Sequence, residues 1–409
     1  MEKTMCELFA GVGGFRLGME RLNSGWKTVW FSQWEPGKKN QWAHDCYVSH
    51  FGDLPDKNGE FHTGDDIASV AKENIPDHTL LVGGFPCQDY SVAHSLSSSR
   101  GIEGKKGVLW WQICDTITAC HPFFCLFENV DRLLKSPASQ RGRDFGIILF
   151  CLSRFGYSAE WRVVNAAQYG AAQRRRRTFL FAWRDDTQYG ISIKDVAPSD
   201  LLRKDGLMAR AFPVCHIGDI RHISLPEDIM EVSDTFSFPF ENAGYLHNGK
   251  ILTANLAIAE ETPVPLKAVL EPHVDCSFQL PTEKMEKWKY LKGAKRIERT
   301  AKNGHHYVFS EGSIAFPDDI DKPSRTMLTS ESTLNRSTHV VRDSETGNLR
   351  VLTPVEAERL NGFDDNWTQN TVHGEMPSRM RYFCMGNALV VPMITRMGTV
   401  LDQIVEEEP

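Results

Sequence analysis

Over its first 185 or so residues the chain alternates short apolar runs with longer stretches of helical periodicity. The short runs, 29–32, 80–83, 123–127 and 178–183, are branched or aromatic and bounded by turn residues, as buried strands of a parallel sheet are. Between them, 15–22, 109–118 and 145–155 carry apolar residues at helical spacing. That alternation predicts an α/β domain, a doubly wound and mostly parallel sheet, over residues 1–185. The run at 80–83 counts as the fourth strand.

The pattern then changes. Residues 186–322 show prolines, His-bearing loops and short strand-like pieces such as 236–240 and 305–309, and read as a second, smaller domain of irregular or mostly β character. Regular structure returns in 323–409. Thr353-Pro354-Val355-Glu356 is a capping box with proline at the first helical position, so a helix starts there. Residues 393–405 read as a last helix.

A chain of 409 residues with 41% hydrophobic residues can bury a sizeable core without metal or disulfide staples. Ten scattered cysteines with no Cys-x-x-Cys pair argue for reduced thiols, and no metal site is expected. No apolar run approaches the roughly 18 residues that span a bilayer, and no signal-peptide pattern opens the chain, so a cytoplasmic protein is expected. The net charge of −7 argues mildly against nucleic acid, but net charge says little about local fields. Basic residues concentrate at Arg174–Arg177 and along 284–302, where Lys287, Lys289, Lys292, Lys295, Arg296 and Arg299 interleave with Trp288 and Tyr290. The second stretch is either a solvated face or a stripe that contacts phosphates.

Two strand ends carry candidate chemistry. Glu7-Leu8-Phe9-Ala10-Gly11-Val12-Gly13-Gly14-Phe15 sits where a first strand turns into a first helix, and glycines there let the backbone approach a ligand. The spacing is not Gly-x-Gly-x-x-Gly, which disfavours a dinucleotide. Glu35, at the next strand end, suits ribose hydroxyls, and Trp34 beside it can stack on a purine. Asp66-Ile67 is a third candidate. The alternatives are a surface carboxylate for Glu35 and a helix cap for Asp66. Together the three suggest an adenosine-containing cofactor.

The other end is Gly83-Gly84-Phe85-Pro86-Cys87-Gln88, which puts a thiol at the carboxyl end of a buried strand. A thiolate is the strongest common nucleophile near neutral pH, although a small buried core cysteine is the plainer reading. Glu128-Asn129-Val130 closes the next strand, so Cys87 and Glu128 can face one substrate. Glu128 is alternatively a loop or capping carboxylate. Gln173-Arg174-Arg175-Arg176-Arg177 precedes the last strand of this domain, and alternation puts Arg175 and Arg177 on one side.

In order, these strings resemble the cytosine-carbon-5 DNA methyltransferase family. The resemblance comprises Phe9-Ala10-Gly11-Val12-Gly13-Gly14, Gly84-Phe85-Pro86-Cys87-Gln88 with Ser91, and Glu128-Asn129-Val130. It continues with Gln173-x-Arg175-x-Arg177, Arg359-Leu360-Asn361-Gly362-Phe363 and Gly386-Asn387-Ala388-Leu389, and covers about residues 5–185 and 323–400. It implies the S-adenosylmethionine-dependent methyltransferase fold, with 186–322 as target-recognition domain and 323–409 returning to the catalytic domain.

The resemblance also implies roles. Phe9, Ala10, Gly11, Gly13, Gly14, Phe15, Trp34, Glu35, Asp66, Ile67, Phe85, Pro86 and Leu109 would line the cofactor pocket, completed by Asn387 and Ala388. Cys87 would attack carbon 6 of a flipped cytosine, Glu128 would serve ring nitrogen 3, and Arg177, supported by Arg175, would hold the base's carbonyl oxygen. Gln88, Ser91, Arg100, Asn129 and Gln173 would contact substrate, with 91–107 as a loop closing over DNA. The products would be 5-methylcytosine and S-adenosylhomocysteine. Duplex DNA is the expected partner, with RNA methylation or a non-catalytic DNA-binding relative as alternatives. Further expectations are a cognate restriction endonuclease and a monomeric state. Two departures stand out: Glu7 replaces the family's usual Asp, and the spacing around Trp34-Glu35 differs by about a residue.

Overall fold

The continuous apolar runs of the first half become strands buried on both faces. In a computed structural model, which describes residues 1–85, 109–300 and 304–409, these are β1 (Thr4–Leu8), β2 (Lys27–Ser32), β3 (Leu80–Gly84) and β4 (Phe124–Val130). Each pairs in parallel with its neighbour, in the order β2-β1-β3-β4. Period-two alternation divides them between two cores: Phe124 and Leu126 of β4 join one apolar cluster, Cys125 and Phe127 the other. Helices α1 (Gly14–Glu20), α2 (Trp42–Phe51), α3 (Leu109–Cys120) and α4 (Arg143–Arg154) cover the faces. Between β2 and β3, where the sequence suggested another strand, the chain makes only short 3-10 turns at Ile67–Ser69 and Lys72–Asn74.

Beyond β4 the sheet turns antiparallel. β5 (Tyr157–Asn165) and β6 (Arg176–Arg184) follow in the order β4-β6-β5. The sequence reading missed β5 because no apolar run marks it: it buries Glu160 and Arg162. Arg162 donates to the carbonyls of Leu202, Met208 and Phe212, while burial, above all, pushes the Glu160 carboxyl up to about 7.

The sheet also runs across residue 185. β7 (Val214–Ser224), β8 (Ala243–His247) and β9 (Lys250–Ile258) extend it to nine strands, ending β5-β8-β9-β7. The 236–240 piece is no strand. Its Phe240 packs edge-on against Phe145 and Trp161, with ring centroids 5.0 and 5.6 Å away. Only after β9 does the chain leave the sheet, to form helix α5 (Met285–Lys292), the two-stranded ribbon β10 (Lys295–Thr300) and β11 (His306–Glu311), and the short pair β12 (Val340–Arg342) and β13 (Leu349–Val351). Trp288, Val340 and Val351 form the small core of this part.

The capping box forms as expected at Thr353, starting α6 (Pro354–Leu360). α7 (Ser378–Asn387) and α8 (Val391–Glu406) then return to the first domain. A Cβ on Gly18 of α1 would lie 2.6 Å from the Cβ of Ile394, so α1 and α8 meet backbone to side chain. Burial of Ile394, Leu401, Ile404 and Val405 of α8 contributes about 1.5–3 kcal/mol each relative to exposure. Among the described residues no single helix is long and apolar enough to cross a membrane.

Candidate active site

The turn after β1 passes through left-handed backbone at Phe9 (φ 55°), Gly11 (φ 57°) and Gly13 (φ 85°). For a bulky aromatic that conformation is strained, and such strain clusters at functional sites. Glycine is required at 13, where a Cβ would fall 2.6 Å from Phe51. The turn lies against the end of β2: Ala10 N–H donates to the Ser32 carbonyl (3.0 Å) and Gly11 N–H to Gln33 Oε1 (2.7 Å). Just beyond, Trp34 is 38% exposed. Burial raises the Glu35 carboxyl above its usual range, and its Oε2 is buried without a donor among the described residues. A ligand hydroxyl would satisfy that oxygen.

The chain's far end completes this site. Trp367 Nε1 donates to the Val12 carbonyl (2.9 Å), and Leu389 lies 3.1 Å from where a Gly14 Cβ would sit. Asn387 is exposed and Ala388 half-buried beside this contact. Asp66 caps a turn by accepting from Ala68 N–H (3.0 Å), its alternative reading, and Ile67 is buried. Phe85 is core, packed on Trp110 and Phe127 with ring centroids 5.6 and 6.2 Å away, and Leu109 opens α3 half-buried. Pro86, Cys87, Gln88, Ser91 and Arg100 lie outside the described residues.

At the next strand ends, Glu128 stands in register with Gly84, and a Cβ on Gly84 would lie 3.4 Å from Glu128 Oε2. The buried Asn129 amide donates to the Phe85 carbonyl (2.7 Å), gripping the chain two residues before Cys87. Antiparallel β6 puts Arg177 opposite Val130, with its Nε 2.7 Å from Glu128 Oε1. That oxygen nevertheless has no aligned donor among the described residues, so the contact is one of charge, with lone pairs left over.

Residues 173–177 alternate inward and outward as predicted: Arg174 and Arg176 are exposed, while Gln173 and Arg175 are buried and Arg177 turns in. Arg175 donates to the carbonyls of Met327 (3.2 Å) and Gly386 (2.9 Å). Burial, with Arg177 adding and Glu128 opposing, lowers its guanidinium to about 9. Gln173, expected at the substrate, is instead fully buried. Its amide donates to Asn361 Oδ1 (3.0 Å), and its Oε1 accepts from Met327 N–H (2.9 Å). Asn361 in turn donates to the Met385 carbonyl (2.9 Å).

Sequence reasoning passed over Tyr47 and Trp367, which no motif flags. It flagged Glu7, and the structure gives the reason for attention: Glu7 is fully buried beneath the glycine turn and accepts from the Tyr47 hydroxyl (3.2 Å). Burial, the largest influence, pushes its carboxyl up to about 8 despite Arg16, Tyr47 and two backbone N–H groups.

Known proteins are similar to this chain. The chain is 50% identical over 404 residues to the type II methyltransferase M.Sau3AI of Staphylococcus aureus, covering 97% of this chain and 95% of that one. It is 24% identical over 405 residues to M.BsuFI of Bacillus subtilis, covering 98% and 72%. Among solved structures, the Dnmt2 methyltransferase of S. pombe superposes with a TM-score of 0.57 at 14% identity, covering 99% of both chains, so the fold is shared. A mutant DNMT2 of Spodoptera frugiperda gives 0.59 at 13% identity, covering 98% and 99%. The family model described as C-5 cytosine-specific DNA methylase matches residues 3–403. A glycine turn completed from the far end of the chain, and a carboxylate facing an arginine at the next strand ends, thus belong to a member of that family, an enzyme that methylates carbon 5 of cytosine in duplex DNA from S-adenosylmethionine.

Proposed function

We propose that Cys87 is the nucleophile of this methyltransferase, Glu128 the group that serves ring nitrogen 3, and Arg177 the donor to the base's carbonyl oxygen. The carrying observation is the join of β3 and β4, where Glu128 faces Gly84 and Asn129 grips the Phe85 carbonyl. Carbon 5 of cytosine is a poor nucleophile while the ring is aromatic. Addition of the Cys87 thiolate to carbon 6 breaks aromaticity and makes carbon 5 enamine-like. Charge then grows on nitrogen 3 and the carbonyl oxygen, where a proton shared between Glu128 and nitrogen 3 and the guanidinium of Arg177 offset it. Once carbon 5 bears the methyl group, its hydrogen leaves as a proton to solvent and Cys87 is eliminated as thiolate, which restores the ring. None of this can happen inside a stacked duplex, so the base is flipped out.

S-adenosylmethionine, when bound, supplies the methyl group as an electrophile. Its adenosyl end is assigned to the Phe9–Phe15 turn, Trp34, Glu35, Asn387 and Ala388; the buried, unpartnered Glu35 Oε2 and the left-handed turn fit it. Arg175 braces the site from behind. Target recognition is assigned to about residues 259–351, a later start than 186 because β7–β9 belong to the central sheet. There Lys295, Arg299, Tyr290, Phe309 and Arg336 line a cavity of about 330 Å³, with the Arg299 guanidinium 4.0 Å from the Phe309 ring centroid. A two-stranded ribbon such as β10–β11 fits a DNA major groove. Pairing with a restriction endonuclease, supported by the type II naming of the similar S. aureus protein, belongs to the proposal, as do a monomeric state and a cytoplasmic location.

The test is methyl transfer from labelled cofactor to duplex DNA and to tRNA. Label in duplex cytosine is expected. Cys87→Ala should abolish it while S-adenosylhomocysteine binding, measured by calorimetry, survives. Labelling of tRNA alone, or turnover retained in Cys87→Ala, overturns the proposal.

A further inference from the structure

The arc 328–338 runs between the arginine-bearing end of the site and the basic ribbon, and it is held at three places. At its start, Met327 N–H donates to Gln173 Oε1 (2.9 Å), its carbonyl accepts from Arg175 (3.2 Å), and Thr329 lies so close to α7 that a Cβ on Gly386 would fall 2.4 Å from the Thr329 nitrogen. Near its end, Arg336 donates to the carbonyls of Leu291 (2.9 Å) and Gly293 (3.1 Å), tying the arc to α5 and the root of β10. The third hold lies across the arc itself. Glu331 Oε1 accepts from the His339 backbone N–H (2.6 Å), and its Oε2 meets His339 Nδ1 (3.0 Å).

That last pair is unusual for a surface loop, because both side chains are completely buried. Glutamate is seldom fully buried unless paired, and a buried pair costs desolvation that a loop needing only to connect two elements would avoid. The chain beside it is tied as well: Thr338 Oγ1 donates to the Thr333 carbonyl (2.7 Å), and Lys292 Nζ donates to the Thr338 carbonyl, while His339 Nε2 is buried without a partner among the described residues. Arg325, paired with Asp318, donates to the Ser337 carbonyl (3.0 Å). The outer side, by contrast, is open. Leu328 is 47% exposed, Thr329 and Thr333 are exposed, and Ser332 adopts a left-handed φ of 68° at the bend. Such an arc has a fixed back and a free front.

We infer that Glu331 is a specificity-positioning residue: its clamp on His339 gives the arc 328–338 one shape, so that the open front reads base pairs beside the flipped cytosine rather than adapting to any sequence. This rests on the proposed reading of the chain as a duplex-DNA methyltransferase whose arginine end and ribbon face DNA. Glu331 itself touches no base. It acts by making the arc stiff, and a stiff reader discriminates because a wrong base pair leaves its polar groups unpaired.

The experiment is in vitro methylation of plasmid DNA by wild type, Glu331→Ala and Glu331→Gln, read by bisulfite sequencing. The quantity is the ratio of methylation at the wild type's preferred site to that at sites differing by one base pair. Glu331→Ala should lower this ratio at least ~10-fold, and Glu331→Gln, which keeps an acceptor for the His339 N–H, about 3-fold, a tenfold loss matching one good hydrogen bond. S-adenosylhomocysteine affinity should stay within about twofold, because the cofactor turn is untouched. A ratio unchanged in either folded variant, or a loss of methylation uniform over all sites, overturns the inference. Should Glu331→Ala not fold, Glu331→Gln alone decides by the same ratio. If wild type itself methylates no duplex cytosine, the reading beneath the inference fails, and that result is distinct from an unchanged ratio.

Discussion

Two arginine–glutamate pairs in this molecule have the same composition and opposite character. Arg350 and Glu356, with side chains 2% and 0% exposed, meet through two bonds of 2.7 and 2.8 Å. The arginine also reaches Asp343 (3.1 Å), and the carboxylate accepts from the backbone N–H groups of Thr353 and Glu271 (2.8 Å each). Arg177 and Glu128, 16% and 12% exposed, share one 2.7 Å contact, and the glutamate oxygen there has no aligned donor among the described residues. A pair that uses all its valences is a brace. A pair that leaves lone pairs over at a strand end, beside a glycine, has room for something that enters.

The sharpest way to break this comparison is to neutralise each glutamate. Glu128→Gln keeps the shape and removes the acid, so kcat should fall roughly 10²–10⁴-fold, the usual range for losing an acid–base group. Its melting temperature should hardly move. Glu356→Ala leaves Arg350 buried without its partner and should cost about 3–5 kcal/mol of stability. Urea unfolding measures that loss, while kcat per folded molecule at low temperature should stay near wild type. If the two variants exchange phenotypes, the reading of spare valence as function is wrong.

The parallel half of the sheet was legible because its strands are apolar on both faces, and the turn after β1 because glycines punctuate it. β5 was not, since buried Glu160 and Arg162 hide its strand character and find their partners among residues 40 or more positions away. The continuation of the sheet through β7–β9 was equally hidden, because antiparallel pairing at an edge needs no continuous apolar run. At the site, the motifs marked Glu128 and Arg177 separately, and the antiparallel pairing of β4 and β6 brings them together. Motif spacing did not find the partners of Gln173, because Asn361 and Met327 come close only through the return of the chain's end, a contact no local pattern encodes.

Glu7 is a third kind of buried glutamate, with no aligned ion pair, and it sharpens the comparison through pH. Its folded carboxyl, pushed mainly by burial up to about 8, lies above the ordinary value of 4.5. Below pH 4.5 both folded and unfolded forms hold the proton. As pH rises from there to about 8, only the unfolded form gives it up, so this group's contribution to stability is progressively lost, by about 1.4 kcal/mol per pH unit. Glu160, raised to about 7, acts in the same direction. Glu7→Gln should therefore gain on wild type by about 2 kcal/mol more at pH 7.5 than at pH 6, read from urea unfolding at the two values. A difference independent of pH would mean that Glu7 ionises freely in the folded protein.

The smallest effect belongs to two buried asparagines that repeat the contrast in neutral form. Asn129 donates to the Phe85 carbonyl (2.7 Å), two residues before Cys87, whereas Asn361 donates to the Met385 carbonyl (2.9 Å) in the brace that holds the chain's end. Either loss leaves a buried carbonyl without its donor, a cost of about 1–3 kcal/mol. In Asn361→Ala that cost should appear as stability alone. In Asn129→Ala part of it should appear at the transition state, because the released carbonyl belongs to the strand end that leads into the nucleophile, and small displacements of a reacting group slow chemistry. A fall in kcat of about 10-fold is expected, with KM for DNA and cofactor affinity near wild type. Equal kcat in the two variants at equal fractions folded would show that Asn129, like Asn361, only braces, and that the approach to Cys87 is set elsewhere.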